Sequence, residues 1–334
     1  MQGNGGVRET LPRDLNSWRS LETKEEWRYV WEAVRPTFHD AGIYVWPFDR
    51  LYARADTRNP MRSNGFAYVT SMRGESWTDL LQKFTCHNEL TRAGSTLNGV
   101  HVVIRVVAMG DEGKRHLEIL RKLAQGPRSM FAENHIDITF TVSPFVADNM
   151  RDCYGFWAKN SVGDIVDMIL QALEAVAFVH DLGIVHRDLC KANYLIQWHP
   201  ESLVAMRVPL SRPRALLTDF ETAHEFPSDL PPQQRVLSGL PLVGYQRPVP
   251  PEMTCGKPYD PFKADIWQLA ESFSDFRATI PEIDTILEQM LELDVSLRLS
   301  AVDARDKLAA IVHSIPPSAL LIPPLLLKPP ILET

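Results

Sequence analysis

The stretch I-V-H-R-D-L-C-K-A-N-Y-L-I, residues 184–196, reads as a short apolar strand, a polar turn and a second apolar run. Asp188 and Asn193 stand five residues apart in that turn. In a tight turn this spacing can aim a carboxylate and an amide oxygen into one cleft. The carboxylate can orient and deprotonate a hydroxyl, and the amide oxygen is a hard ligand suited to Mg²⁺. Downstream, Leu216 and Leu217 lead into Thr218-Asp219-Phe220, a strand end that brings a second carboxylate. Two acids and one amide around a cleft form a set able to support metal-assisted phosphoryl transfer.

Upstream of this segment, Ser161 and Asp164 open a helix whose apolar positions run from Ile165 to Val179, and Gly183 closes it. Its apolar residues lie nearly all round, as in a helix at the centre of a lobe. Further back the chain is strand-like. Phe66 to Thr70 and Val100 to Val107 are β runs, and Asn98-Gly99 marks a hairpin between a strand ending near Leu97 and the second of them. Residues 114–123 carry Leu117, Leu120 and Leu123 at helical spacing, and Ile138, Phe140 and Val142 alternate as one further strand. Near the start, Trp27, Val30, Trp31 and Val34 share one helix face, with Thr23 and Glu26 as capping box and Pro36 as the expected stop. That face is expected to dock on the main domain; binding a partner is the sharper alternative.

Late in the chain, Ile283, Ile286, Leu287, Met290 and Leu291 form another one-face helix, and a last helix begins at Ser300 with Asp303. Strands first and helices second give an α+β class with two lobes. The expected divisions are an N-terminal helical extension over 1–60, a small lobe over 61–146, a large lobe over 147–313, and a Pro/Leu-rich tail over 314–334. The tail is expected to pack on the large lobe, to stay disordered, or to serve a partner as a polyproline ligand.

Bulk composition narrows the function. The 334 residues carry 35 Lys and Arg against 42 Asp and Glu, a net charge of -7. That balance argues against a general nucleic-acid binder, which needs a basic face for phosphates. Cys86, Cys153, Cys190 and Cys255 are scattered with no CxxC pair, so neither a zinc site nor a disulfide framework is signalled. The polar opening residues and the short apolar run at 319–327 predict neither a signal peptide nor a membrane span. An intracellular protein, cytoplasmic or nuclear, is the expectation. Seventeen glycines against 25 prolines leave little material for a Gly-rich phosphate cradle.

The quoted segment also carries a resemblance. His186-Arg187-Asp188-Leu189, followed by Asn193, resembles the H-R-D-L-x-x-x-N catalytic loop of eukaryotic-type protein kinases in every fixed position. Asp219-Phe220-Glu221 is similar to D-F-G, Pro250-Pro251-Glu252 to A-P-E, and Asp265-Ile266-Trp267 to the D-x-W of a central helix. Arg298 matches the late arginine that pairs with the A-P-E glutamate, here Glu252. Arg105 stands at the strand lysine, with Glu118 on the next helix as its acidic partner. The six features come in family order, and the style is similar to divergent kinase-like proteins of fungi. The resemblance implies a two-lobed kinase-like fold that uses ATP and Mg²⁺ to phosphorylate a protein substrate. Asp188 would be the base, His186 a brace for the loop, and Arg187 a contact to the activation segment. Asn193 and Asp219 would hold Mg²⁺, and Arg105 and Glu118 would serve the nucleotide.

The departures are specific. Arg105 replaces a lysine, and a planar fork does not reproduce a point-charge ammonium. No G-x-G-x-x-G precedes residue 100, and Glu221 replaces glycine beside the metal ligands. Cys190 stands where Ser/Thr kinases place lysine, with Lys191 next door as its substitute, and Gly244-Tyr245 stands in place of G-T. One strand is expected between the Glu118 helix and Pro144, where the family has two. These departures motivate the alternative of a pseudokinase, a kinase-shaped scaffold with weak or no ATP turnover. A small-molecule kinase fits less well, because those families usually lack the P-E and D-x-W features. Thr222, Ser228, Ser238 and Tyr245 are expected as solvent-facing hydroxyls, with phosphorylation opposite Arg187 as the alternative.

Overall fold

In the computed structural model the described residues are 11–49, 52–54, 83–85, 88–124, 131–135, 137–146, 148–154, 160–197, 202–208 and 213–327. The strand expected at Phe66 to Thr70, and Cys86, lie outside them. The chain is α+β and divides into two compact units, whose described residues are 11–146 and 148–327. Among the described residues no helix is long and apolar enough to cross a membrane.

The first unit is built on a five-stranded antiparallel sheet. Its strands lie in the order Ile43–Val45, Thr91–Thr96, His101–Met109, Ile138–Pro144 and Phe131–His135. The Asn98-Gly99 hairpin forms as its turn chemistry requires, with Ser95 opposite His101 and Gly99 at φ 76°. Two strands, not one, lie between the Glu118 helix and Pro144. Phe131–His135 has no apolar alternation to announce it, and it exists because Ile138–Pro144 offers it a full antiparallel edge. Residues 43–45, assigned to the N-terminal extension in the sequence reading, supply the opposite edge strand.

The Trp-rich helix runs over Lys24–Asp40, and Pro36 lies inside it rather than ending it. Proline within a helix removes one backbone bond. Here Pro36 is exposed, while Phe38 beyond it is buried against Trp31 and Phe140, so packing carries the helix through. Val30, Trp31, Val34 and Phe38 join Ile43, Ile104 and Val142 in one core. Trp27, Trp31 and Phe48 also surround the buried Arg92 guanidinium, with ring centroids 5.0–5.7 Å from its carbon. The aromatic face is therefore spent inside this unit. The helix Lys114–Leu123 begins after Gly113, at φ 76°, where a Cβ would stand 2.1 Å from the carbonyl oxygen of Val107. Only glycine fits that entry.

The second unit is mainly helical. Ser161 and Asp164 form the expected capping box for the helix Val162–Asp181, whose residues from Ile165 to Leu173 are buried nearly all round. Ala301–Ser314 packs against it, and Pro261–Glu271 and Pro281–Met290 complete the helical core. Only these two helices lie between Asp260 and Arg298. Between Asn193 and Asp219 lies a hairpin of Tyr194–Gln197 and Arg214–Leu217, with a short helix at Ser202–Ala205 between its strands.

The tail docks on this unit through residue 327. Leu325–Leu326 pairs with Phe276–Arg277, Leu327 N–H donates to the Asp275 carbonyl at 2.7 Å, and the Ile322 carbonyl accepts the Val162 N–H at 2.9 Å. The last of these satisfies a donor that an isolated helix N-terminus leaves open. Leu320 is buried beside Gly163. Leu320→Ala is expected to cost about 2–3 kcal/mol, the lower part of the range for a buried leucine, read as a lowered urea midpoint at unchanged slope.

Candidate active site

The turn of the quoted segment is fixed from below by one carboxylate. After the strand Ile184–Val185, the N–H groups of His186 and Arg187 donate to Asp265 at 2.8 and 2.7 Å. Nε2 of His180 meets the same carboxylate at 2.9 Å. Asp265 is fully buried on the helix Pro261–Glu271, so D-x-W acts as the anchor of the H-R-D turn. The grip has backbone strain to hold: Arg187 sits at φ 67° and Asp219 at φ 66°, a left-handed region costly for most side chains. His186 is buried, and its Nε2–H donates to the Thr218 carbonyl at 2.9 Å, bracing the two strained turns against each other. Thr222 Oγ donates to the His186 carbonyl at 2.8 Å, so that hydroxyl is not the solvent-facing group expected from sequence.

Asp188 and Asn193 are brought together. The Asn193 amide donates to the Asp188 carbonyl at 2.8 Å and to its Oδ2 at 2.9 Å. Both N–H donors are thereby used, which leaves Oδ1 of Asn193 as an oxygen donor to a cation. Thr218 N–H donates to the Asn193 carbonyl at 2.9 Å, which sets Asp219 one residue beyond that contact. Among the described residues no cluster of three His, Cys, Asp or Glu side chains could hold a metal alone. One carboxylate and one amide oxygen suit Mg²⁺ in its usual role, completed by water and substrate phosphates rather than by a protein cage.

The other face of Asp188 is occupied by residues that sequence reading did not place in the site. Tyr245 O–H donates to Oδ1 at 2.5 Å, and Arg247 Nε lies 3.3 Å from the same oxygen. Gln268 supports the phenol with an N–H at 3.0 Å, and Arg247 also reaches the Cys190 thiol. Burial, followed by the Asp188 hydrogen bond, pushes the Tyr245 phenol above its ordinary range, so it stays a neutral donor. Gln268 had one signal: it lies one helical turn from Asp265 and so on the same face. Arg247 had none.

Three residues expected to serve catalysis are engaged differently. Lys191 spends its three N–H donors on both oxygens of Asp275, at 2.8 Å each, and on the Tyr154 hydroxyl. Burial pulls its ammonium below the usual range, against the opposing hold of Asp275. It is thus a buried cross-link rather than a stand-in for the lysine that Cys190 replaces. Arg105 and Glu118 belong to the first unit and form no ion pair with each other among the described contacts. The buried side of the Glu118 helix carries His116, Leu117, Ile119 and Leu120, which leaves Glu118 exposed. Arg187 does meet the segment between Asp219 and Glu252, donating to the Gly239 carbonyl at 3.3 Å. Glu252 and Arg298 form the expected buried pair, with Nη1–Oε1 at 2.5 Å and Nη2–Oε2 at 3.4 Å.

With this geometry in place, the comparisons point one way. The chain is similar in part to a protein kinase. It is 34% identical over 103 residues to the serine/threonine-protein kinase ppk8 of Schizosaccharomyces pombe, a match covering 31% of this chain. The chain spans 17% of the length of that curated relative. No family model matches the chain.

Proposed function

We propose that the protein is a kinase-like phosphotransferase that moves the γ-phosphate of ATP to a hydroxyl of a protein substrate. The observation that carries this reading is the pairing of Asp188 with Asn193 on an H-R-D turn anchored by Asp265. Asp188 accepts the substrate proton, and Asn193 holds the carboxylate in position while its own oxygen, with Asp219, serves Mg²⁺. When bound there, Mg²⁺ supplies charge neutralisation at the phosphate oxygens. Two further features support a two-lobed kinase-like fold. Arg105 lies on the strand and Glu118 on the following helix, where the family keeps its lysine and glutamate, and the Glu252–Arg298 pair closes at the far end of the motif series.

The exposed position of Glu118, with no ion pair to Arg105 among the described residues, favours a second reading, a kinase-shaped scaffold with little turnover, because kinases need that ion pair in place. One experiment separates the two. Purified protein with Mg-ATP and a generic protein substrate should incorporate phosphate, and Asp188→Asn should lower the rate by about 10²–10⁴, the usual worth of a positioned base. Equal background with and without the substitution, joined to no thermal shift at saturating Mg-ATP, would establish the scaffold instead.

A further inference from the structure

The segment that meets Asp188 has the build of a moving part. Gly239 and Gly244 both adopt left-handed φ, 72° and 75°, with no atom within 4 Å of where a Cβ would stand. Between them Leu240, Leu242 and Val243 are exposed, so no apolar burial pins this stretch. Its polar holds lie at its two ends: the Gly239 carbonyl accepts from Arg187 and from the Tyr259 hydroxyl, Tyr245 is held by Asp188 and Gln268, and Arg247 by Asp188 and Cys190. The closure is also imperfect. Behind Tyr245 and Arg247 lies a cavity of about 70 Å³ lined by Leu189, Cys190, Gln268 and Glu271. Gln268 Oε1 is buried with no hydrogen-bond partner among the described residues. An unmade buried hydrogen bond works against the closed state, and the Arg247–Asp188 pair is 41% exposed on the Arg247 side, which makes it a modest tie.

We propose that residues 239–248 form a latch on Asp188, with the Tyr245 phenol occupying the place of a substrate hydroxyl and Arg247 holding the same oxygen. The inference rests on the reading of Asp188 as the base. Oδ1 accepts the Tyr245 hydroxyl and lies 3.3 Å from Arg247 Nε in an ion pair, and Oδ2 is bound to Asn193. A substrate hydroxyl must displace the phenol to reach Oδ1. Rotation about Gly244 moves Tyr245 off Oδ1, and the exposed residues 240–243 follow with little loss of packing. The latch uses this chain's own departures from the resembled family, since Tyr245 stands where G-T is expected.

The test compares the full-length wild type with Tyr245→Phe/Arg247→Met and with Arg247→Met alone, each checked for native circular dichroism. Amide hydrogen exchange of residues 240–249 and carbodiimide labelling of the Asp188 carboxylate with glycine ethyl ester are read on each. The latch predicts that both signals rise about tenfold in the double variant and partway in the single one, and that phosphate transfer to a generic substrate rises with them. Unchanged exchange and labelling would overturn it. So would increased labelling with a fall in kcat at constant KM, because Tyr245 and Arg247 would then position Asp188 rather than block it. If labelling rises while no version, wild type included, transfers phosphate, the latch stands and the phosphotransferase reading fails.

Discussion

Arg298→Met is expected to remove about 3–5 kcal/mol of stability, the cost of breaking one side of a buried ion pair. Arg298 has no exposed side-chain surface, and its guanidinium is committed at every edge. It forks onto Glu252, donates from Nε to the Glu292 carbonyl at 2.8 Å, and donates from Nη1 to the Lys263 carbonyl at 3.1 Å. Methionine fills similar volume, so the loss measures polar contacts rather than a cavity. Lysine at this position should recover little, because a point charge cannot serve the fork and two carbonyls together. The double variant Glu252→Gln/Arg298→Met should be more stable than Arg298→Met alone, since the stranded carboxylate is gone. Urea denaturation of the wild type, Glu252→Gln, Arg298→Met and the double variant gives the coupling directly. Additive losses would show that the two side chains are merely adjacent.

Asp265→Ala is expected to cost about 4–5 kcal/mol and to free the H-R-D turn. Hydrogen bonds to a charged group are worth about 1.5–3 kcal/mol each, and this carboxylate accepts three, two of them from consecutive backbone N–H groups. One of those belongs to Arg187, whose left-handed backbone otherwise has every reason to relax. Asp265→Asn should behave nearly as badly, because its NH₂ must face one of the two N–H donors. The control is Asp260→Ala on the same helix. Asp260 caps it by accepting from the N–H groups of Phe262 and Lys263, and its loss should cost about 1 kcal/mol. Hydrogen exchange at residues 186 and 187 distinguishes the two: it should rise with the Asp265 variants and stay native with Asp260→Ala. A rise with both would mean that the turn depends on the helix as a whole.

The parts of the fold legible in the chain were those set by local chemistry. Capping at Ser161 and Thr23, the Asn98-Gly99 hairpin and the termination at Gly183 each depend on a few neighbouring residues, and each stands where expected. Pro36 misled because a local rule met a tertiary core: Phe38 buries enough surface to carry the helix past one missing hydrogen bond. Phe131–His135 was illegible because it has no apolar alternation of its own, and it forms by pairing along the edge of the next strand, Ile138–Pro144. Within the site, Asp188 and Asn193 lie five residues apart and could be paired on paper. Lys191 could not be assigned, because its neighbour in the chain decides nothing and Asp275, 84 residues away, decides everything.

By itself the sequence determined the α+β class, the ordered series of motifs from Arg105 to Arg298, and the carboxylate–amide pair at Asp188 and Asn193. Those depend on residue type, spacing and short-range geometry. Only the tertiary structure decided which groups surround that pair: Asp265 beneath the turn from 77 residues downstream of Asp188, and Tyr245 and Arg247 on Oδ1 from a glycine-flanked segment. A hydrogen bond acts over about 3 Å of space and is indifferent to distance along the chain, so the partners of Asp188 were set by packing.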